Sequence, residues 1–409
     1  MAVRYMGSKK ALAPEISELI SERHPNSAVL DVFAGMCAVG TEVVGRHKLY
    51  TNDVHAYAAT IASALFTGPI NGATSITARA ELLRHFNKNK RVLEDSANGR
   101  LQKEDQYFRG DSSSANFRPA IEFNDRELQR PPARKLPNLP TIAKYKETPK
   151  TFPYCLATSY FSSAYFGIRQ AIEIDSIRYA IDQAPKKNRE RYLAALVDAA
   201  SHCAAAPGHF AQFLIPRDRK TFDYIARIRN RSVLERFFLA LDIMPKPKCH
   251  SRSSNRVFQY EAVELLQAKS KKFSNEDLVI YADPPYSRAQ YSRYYHVLET
   301  LVLYDYPACR SKGRYREDRF HTDFSRVSRV VDAMDEFSAA ASKTGAALYL
   351  SYPQNGLLTK AGADVREILR QHYKSVSTAT RRNLQHSTMG GAPGSAAQSV
   401  WEDIFYATN

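Results

Sequence analysis

The stretch VIYADPPYSRAQYSRYY, Val279 to Tyr295, constrains the fold more than any other part of the chain. Its first residues are apolar or small and read as a buried strand. Pro284 and Pro285 then stop that strand, because consecutive prolines cannot continue a central hydrogen-bonded ladder. A strand forced to end there presents Asp283 and Tyr286 together at its carboxyl end. The residues that follow are rich in arginine and tyrosine, so the change of character marks a functional edge.

Other runs have the same strand character. AVLDVF, from Ala28 to Phe33, leads into the glycine-containing turn AGMCAVG and a helical pattern reaching about Arg46. LYTNDV gives a second strand ending in an acid, and HAYAATIASALF places Tyr57, Ile61 and Leu65 at helical spacing. Strand, turn, helix, strand in this order is the beginning of an α/β sheet. From about Gly68 to Asn255 the pattern breaks into amphipathic helical pieces and proline-rich segments, an insertion with its own loops. Strand patterns resume at NRVFQY, LVIYADPP, AALYLSYP and SVWEDIFYATN, with a helix expected near Val330 to Ala341. The expected organisation is a discontinuous core, residues 1–68 and 255–409, around an inserted region, 69–254, of which 150–182 packs on the core. STMGGAPGSAAQS reads as a flexible loop.

Charge narrows the partner. With 58 Lys and Arg against 42 Asp and Glu, the chain carries a formal +16, which favours a polyanion, nucleic acid before membrane. No segment approaches the ~20 apolar residues of a membrane span, and five scattered cysteines point to reduced thiols, so a cytoplasmic location is expected. Neither a metal-ligand spacing nor a Walker-type phosphate loop is found, so no metal is expected. Methylation at a ring carbon, which in its own family uses a cysteine after a proline, is disfavoured because no Pro-Cys pair occurs.

Asp31-Val32-Phe33-Ala34-Gly35 followed by Gly40 puts a tight turn where a strand feeds a helix, so backbone can approach a ligand there. A dinucleotide fingerprint would want a second glycine where Cys37 stands, which argues against phosphate cradling. Asp53, at the end of the next strand, can accept both hydroxyls of a ribose or cap a helix. An adenosine without phosphates suits both features. Near the N-terminus, Tyr5, Gly7 and Lys9 offer an aromatic face, a hinge and a cation for a ligand carboxylate.

Taken in order, RYMGSKKALAPEI, VLDVFAGMCAVG, YTNDVHAY, YFSSAYFGIRQAIEID and ADPPYSRAQYSRYYHVLETL resemble the amino-methylating, adenine-specific DNA methyltransferases of the Dam-like kind. The resemblance covers both ends of the chain well and most of the insertion poorly. It implies a Rossmann-like methyltransferase sheet, S-adenosylmethionine as methyl donor, and an inserted, mainly helical region that recognises the DNA target. Asp31 and Phe33-Ala34-Gly35 would line the methionine end of the donor, Lys9 would help hold it, and Asp53 would take the ribose. Glu261 stands where the family often has an acid near the cofactor adenine, although helix capping explains it nearly as well.

The resemblance also gives DPPY a chemistry. An adenine N6 amine is a poor nucleophile because its lone pair is delocalised into the ring. Asp283 through its carboxylate and Pro284 through its carbonyl would accept the two amine protons, while Pro285 helps fix the backbone. Rotating the base out of a duplex costs a few kcal/mol, and stacking on Tyr286 returns roughly 1–3 kcal/mol. Further grip is expected from Arg288, Gln290, Tyr291, Arg293, Tyr294 and Tyr295, and from Arg169 in the insertion. PRDRKTFDYIARIRNRS, with Arg217, Arg219 and Lys220, and PKPKCHSRSSNR suit the phosphate backbone.

The expected activity is therefore site-specific N6-adenine methylation of double-stranded DNA by a monomer. The alternatives are N4-cytosine or RNA amino-methylation on the same fold, or a DNA-binding homologue without turnover. A cognate restriction endonuclease is left open.

Overall fold

Seven runs form one sheet: Ala28–Asp31 (β1), Leu49–Asn52 (β2), Arg256–Phe258 (β3), Leu278–Ala282 (β4), Ala347–Pro353 (β5), Ser375–His386 (β6) and Gln398–Thr408 (β7). The computed structural model describes residues 9–67, 73–109, 114–245, 254–273, 276–386 and 398–409. Tyr5 and Gly7 lie outside the described residues, as do most of the expected STMGG loop and of the PKPKC segment. The strand order is β3-β2-β1-β4-β5-β7-β6. The first five strands run parallel, and β7 runs antiparallel to both its neighbours. This is a Rossmann-like α/β sheet.

Burial explains the pattern. β1, β2 and β4 are buried at every position, as strands of a parallel sheet covered on both faces must be. The helix Ala56–Phe66 has Tyr57, Ile61 and Leu65 buried at the expected spacing. The expected helix near Val330 spans Val330–Ser342 and buries Met334 and Phe337 in the core. β6 has no counterpart in the sequence reading. It is an edge strand with a polar, arginine-rich sequence, and its long antiparallel pairing with β7 supplies what apolar alternation does not.

The chain divides into two compact units. Among the described residues, the sheet unit takes those within 9–67, 254–292 and 320–409, and the helical unit those within 73–245 and 293–319. Residues 293–319, expected in the core, thus belong to the helical unit. The reason is a buried clamp: Asp175 accepts hydrogen bonds from the Ala157 and Thr158 amides and from the Tyr304 hydroxyl at 2.6–2.8 Å. Tyr304 and Tyr306 also stack on Tyr154 and Tyr145, with centroids 4.8 and 4.9 Å apart.

The stretch YFSSAYFGIRQAIEID is not one continuous helix. The helix Leu156–Tyr160 ends in a turn, and Ile168–Gln183 begins a new one. Ser163 takes a positive φ in that turn, and Gln170 reaches back to accept from the Gly167 amide at 3.0 Å. Within the helical unit the longest element is Ile76–Phe108, with 33 residues. Among the described residues, no helix is long and apolar enough to cross a membrane.

Candidate active site

In the sheet order, β1 and β4 are neighbours, with β2 and β3 to one side and β5, β7 and β6 to the other. The carboxyl ends of strands at such a reversal leave a crevice, where open α/β sheets bind ligands. A cleft of about 1020 Å³, open to solvent, lies at this position in the sheet unit. Its lining includes Lys9, Asp31, Phe33, Ala34, Gly35, Asp53, Glu261, Asp283, Pro284, Pro285, Tyr286, Gln290 and Tyr291. Every described residue proposed from sequence for catalysis or the cofactor therefore faces one space, although the two ends of the chain supply it.

Local hydrogen bonding shapes the turn after β1. Gly35 has φ +48°, a left-handed conformation that glycine adopts without steric cost. Its amide donates to Asp53 Oδ2 at 2.9 Å, and Asp53 Oδ1 accepts from the His55 amide at 2.9 Å. Asp53 thus binds the turn together while it lines the cleft. Asn52, buried and not singled out from sequence, donates to the carbonyls of Val32 and Tyr260 at 3.0 and 3.1 Å and ties three strand ends.

Cys37 explains why a glycine would suit its position. It has φ +61°, costing roughly 1–2 kcal/mol for a residue with a Cβ. Its side chain is fully buried and is not part of the cleft lining, which passes from Met36 to Ala38. Burial, then the charges of Asp31 and Asp53, raises the thiol pKa well above its ordinary value, so the group is neutral and unreactive.

Acidic groups dominate the electrostatics. Asp31 is 2% exposed, and one of its carboxylate oxygens has no hydrogen-bond partner among the described residues. Burial, then repulsion from Asp283 and Asp53, pushes its pKa well above the carboxylate range. A cation arriving there would relieve that repulsion. Glu261 lines the cleft and also caps the helix Ala262–Phe273, accepting from the Val263 and Glu264 amides at 2.7 and 3.2 Å. Both readings of Glu261 therefore have a structural basis.

Lys9 Nζ lies 2.9 Å from Asp283 Oδ1 and 2.6 Å from Glu402 Oε1. Its ammonium is thus engaged by two protein carboxylates. Burial alone would lower its pKa, but those two charges outweigh burial and raise it well above the ordinary value. The Tyr286 ring lies beneath the ammonium, 5.5 Å from centroid to nitrogen, and burial pushes its hydroxyl up to about 12. Gln290 is held by Thr322, accepting from its amide at 3.1 Å and donating to its carbonyl at 3.2 Å. The cleft also takes in His55, Tyr260, Tyr281, Phe320 and Thr322, which sequence reasoning did not identify. Glu402, one of two adjacent acids inside the strand pattern SVWEDIFYA, did carry a signal.

Of the residues expected to bind DNA, Gln290 and Tyr291 line the cleft, and the basic ones are not part of its lining. Arg288, Arg217, Arg219 and Lys220 are exposed. Arg219 pairs with Asp223 at 2.9 Å on the exposed face of the helix Arg219–Arg229. Arg169 is different: its guanidinium pairs with Asp105 and, at 3.4 Å, with Glu94 on the helix Ile76–Phe108. A phosphate would have to displace those partners. Tyr295 is fully buried and cannot close over a nucleotide, and Tyr294 packs edge-on against His209, centroids 4.8 Å apart.

Residues 5–100 match the family model for D12 class N6 adenine-specific DNA methyltransferases. Over that stretch the chain is similar to this family. It is 22% identical over 379 residues to modification methylase StsI of Streptococcus sanguinis, an alignment covering 90% of this chain and 46% of that protein. It is also 26% identical over 237 residues to type II methyltransferase M.NlaIII of Neisseria lactamica, covering 56% and 63%. The match to type II methyltransferase M.FokI of Planomicrobium okeanokoites is 25% over 215 residues, 51% and 29% of the two chains. The chain therefore spans less than two thirds of the length of each of these relatives.

Proposed function

We propose that this chain transfers a methyl group from S-adenosylmethionine to N6 of an adenine rotated out of double-stranded DNA, at a short specific sequence. The observation that carries the reading is the convergence of the Phe33–Gly35 turn, Asp53 and Asp283–Tyr286 in one cleft. The buried Asp31 oxygen that lacks a partner among the described residues fits a donor carrying an ammonium group. Asp31 and the Phe33–Gly35 turn would hold the methionine end, and Asp53 and Glu261 the adenosine end. When bound, S-adenosylmethionine supplies an electrophilic methyl group on a positively charged sulfur.

The chain's own residues supply the remainder. Asp283, paired with Lys9 at 2.9 Å, accepts a hydrogen bond from one N6 proton through its carboxylate. The Pro284 carbonyl accepts the other, which makes the nitrogen more tetrahedral and returns its lone pair from the ring. The Tyr286 ring stacks on the extruded base, and Gln290 and Tyr291 line the same space. Exposed Arg217, Arg219, Lys220 and Arg288 serve the phosphates without reading sequence. Modified-base sequencing of DNA from cells expressing the chain tests this reading: N6-methyladenine in one short recurring motif is expected. N4-methylcytosine, modification of RNA alone, or no modification would overturn it.

A further inference from the structure

Gln290, expected from sequence to grip DNA, has both ends of its side-chain amide engaged by one backbone unit of the sheet unit. It accepts from the Thr322 amide at 3.1 Å and donates to the Thr322 carbonyl at 3.2 Å. Such a pair reproduces one rung of an antiparallel ladder, in which two residues exchange both N–H···O bonds. The Ser325 hydroxyl adds a neighbouring rung, donating to the Ala289 carbonyl at 3.2 Å. At the start of the same loop, the Leu357 amide donates to the Tyr286 carbonyl at 3.0 Å. The loop after Pro285 is thus pinned at 286, 289 and 290, and among residues 286–290 only Arg288 is exposed. A glutamine reads an adenine edge with the donor and the acceptor of its amide together, so Gln290 would have to release Thr322 to do so.

The segment that Gln290 holds lies against the other end of the cleft. Two residues before Thr322, Phe320 lines the cleft and meets the His55 ring edge-on, centroids 6.5 Å apart. His55 donates its amide to Asp53, the residue assigned to the donor ribose. Two residues after Thr322, Phe324 meets Phe33 edge-on at 5.6 Å, and Phe33 opens the turn after β1. Thr322 Oγ1 accepts from the Phe324 amide at 3.3 Å, so a displacement of Thr322 is passed to Phe324. The chain reaches Phe320 from residues 293–319, which belong to the helical unit. Contacts within the sheet unit must therefore set where 320–324 lies on that unit, and the Gln290 clasp is one of them.

We infer that Gln290 is a positioning residue for the methyl donor: by clasping the Thr322 backbone it fixes segment 320–324 as one wall of the donor end of the cleft, and it does not read DNA. The inference rests on the reading of this cleft as the donor site, and one of its measurements needs no ligand. In donor-free Gln290→Ala, hydrogen exchange of the peptide covering 320–325 should be at least about tenfold faster than in the wild type, because the Thr322 amide loses its acceptor.

Calorimetry with S-adenosylhomocysteine then tests the role. Its Kd should rise about tenfold in Gln290→Ala, the loss of about one net hydrogen bond. At saturating donor, kcat and KM for DNA should stay within about threefold of wild type, and the methylated motif should be the same. Ser325→Ala removes the neighbouring rung from a residue outside the cleft lining and should raise the same Kd about two- to threefold. Faster exchange with an unchanged Kd would leave the clasp a purely structural contact and overturn the inference. A raised KM for DNA or an altered motif, with the S-adenosylhomocysteine Kd unchanged, would also overturn it and return Gln290 to the DNA. Should Gln290→Ala not fold, the exchange and Kd of Ser325→Ala decide by the same criteria. Wild-type protein that binds no S-adenosylhomocysteine would refute the donor reading itself, and the inference with it, a result separate from any difference between variant and wild type.

Discussion

The cleft of the sheet unit and the arginines of the helical unit were both expected from sequence to carry function, yet they differ in how far the fold commits them. In the cleft, Asp31, Gly35, Asp53 and Asp283 follow strand ends whose register the sheet fixes. Topology brings these residues together whatever their separation along the chain. In the helical unit, positive charge and, for Arg169, the family resemblance suggested the candidates, and charge finds many partners. Arg169 braces two helices, and Arg229 is buried over the Phe108 ring at 4.4 Å, whereas Arg219 and Lys220 stay on an exposed face. A strand end specifies a place, and a basic residue specifies only a preference.

Substitutions can break or sharpen this contrast. The largest effect is expected for Asp283→Ala, which should lower methyl transfer by at least about 10³-fold while donor binding, measured by calorimetry, stays detectable. Tyr286→Ala should raise the DNA requirement about 10–100-fold, as about 1–3 kcal/mol of stacking implies, and change donor KM far less. Equal changes in both constants would remove Tyr286 from the base-binding role.

Arg169→Ala tests the helical unit. It removes the pairs with Glu94 and Asp105, which keep Lys90 and Arg109, and should cost about 1 kcal/mol in denaturant unfolding, with the salt dependence of DNA binding unaltered. A reduced salt slope without loss of stability would return Arg169 to the phosphates. Asp31→Asn should flatten the melting profile of the donor-free protein. The raised Asp31 pKa gives stability that is complete below about pH 4 and is lost as pH rises through the folded value. The same variant should bind the donor more weakly. The smallest effect is expected for Arg219→Ala and Lys220→Ala, each lowering the log-log salt slope by about 0.9 with stability nearly unchanged, since exposed pairs contribute about 0–1 kcal/mol.

Most of the sheet was legible because its strands are either continuously apolar or stopped by proline and glycine. β6 was not, because an edge strand half open to water needs no apolar pattern. The cleft residues were legible wherever a strand end made them so. Asn52 and Tyr260 escaped because their role is backbone hydrogen bonding across strands that are distant in sequence, and Glu402 because its partner, Lys9, lies at the other end of the chain. The membership of residues 293–319 depended on Asp175 meeting Tyr304 over a sequence separation of 129 residues, which no local pattern encodes.

The most direct test of amine activation at the β4 tip is mass spectrometry of nucleosides from duplex DNA incubated with S-adenosylmethionine and either wild-type protein or Asp283→Ala. The account predicts N6-methyldeoxyadenosine from the wild type and none above background from the variant. Equal amounts from both proteins, or a methylated nucleoside other than deoxyadenosine, would contradict it.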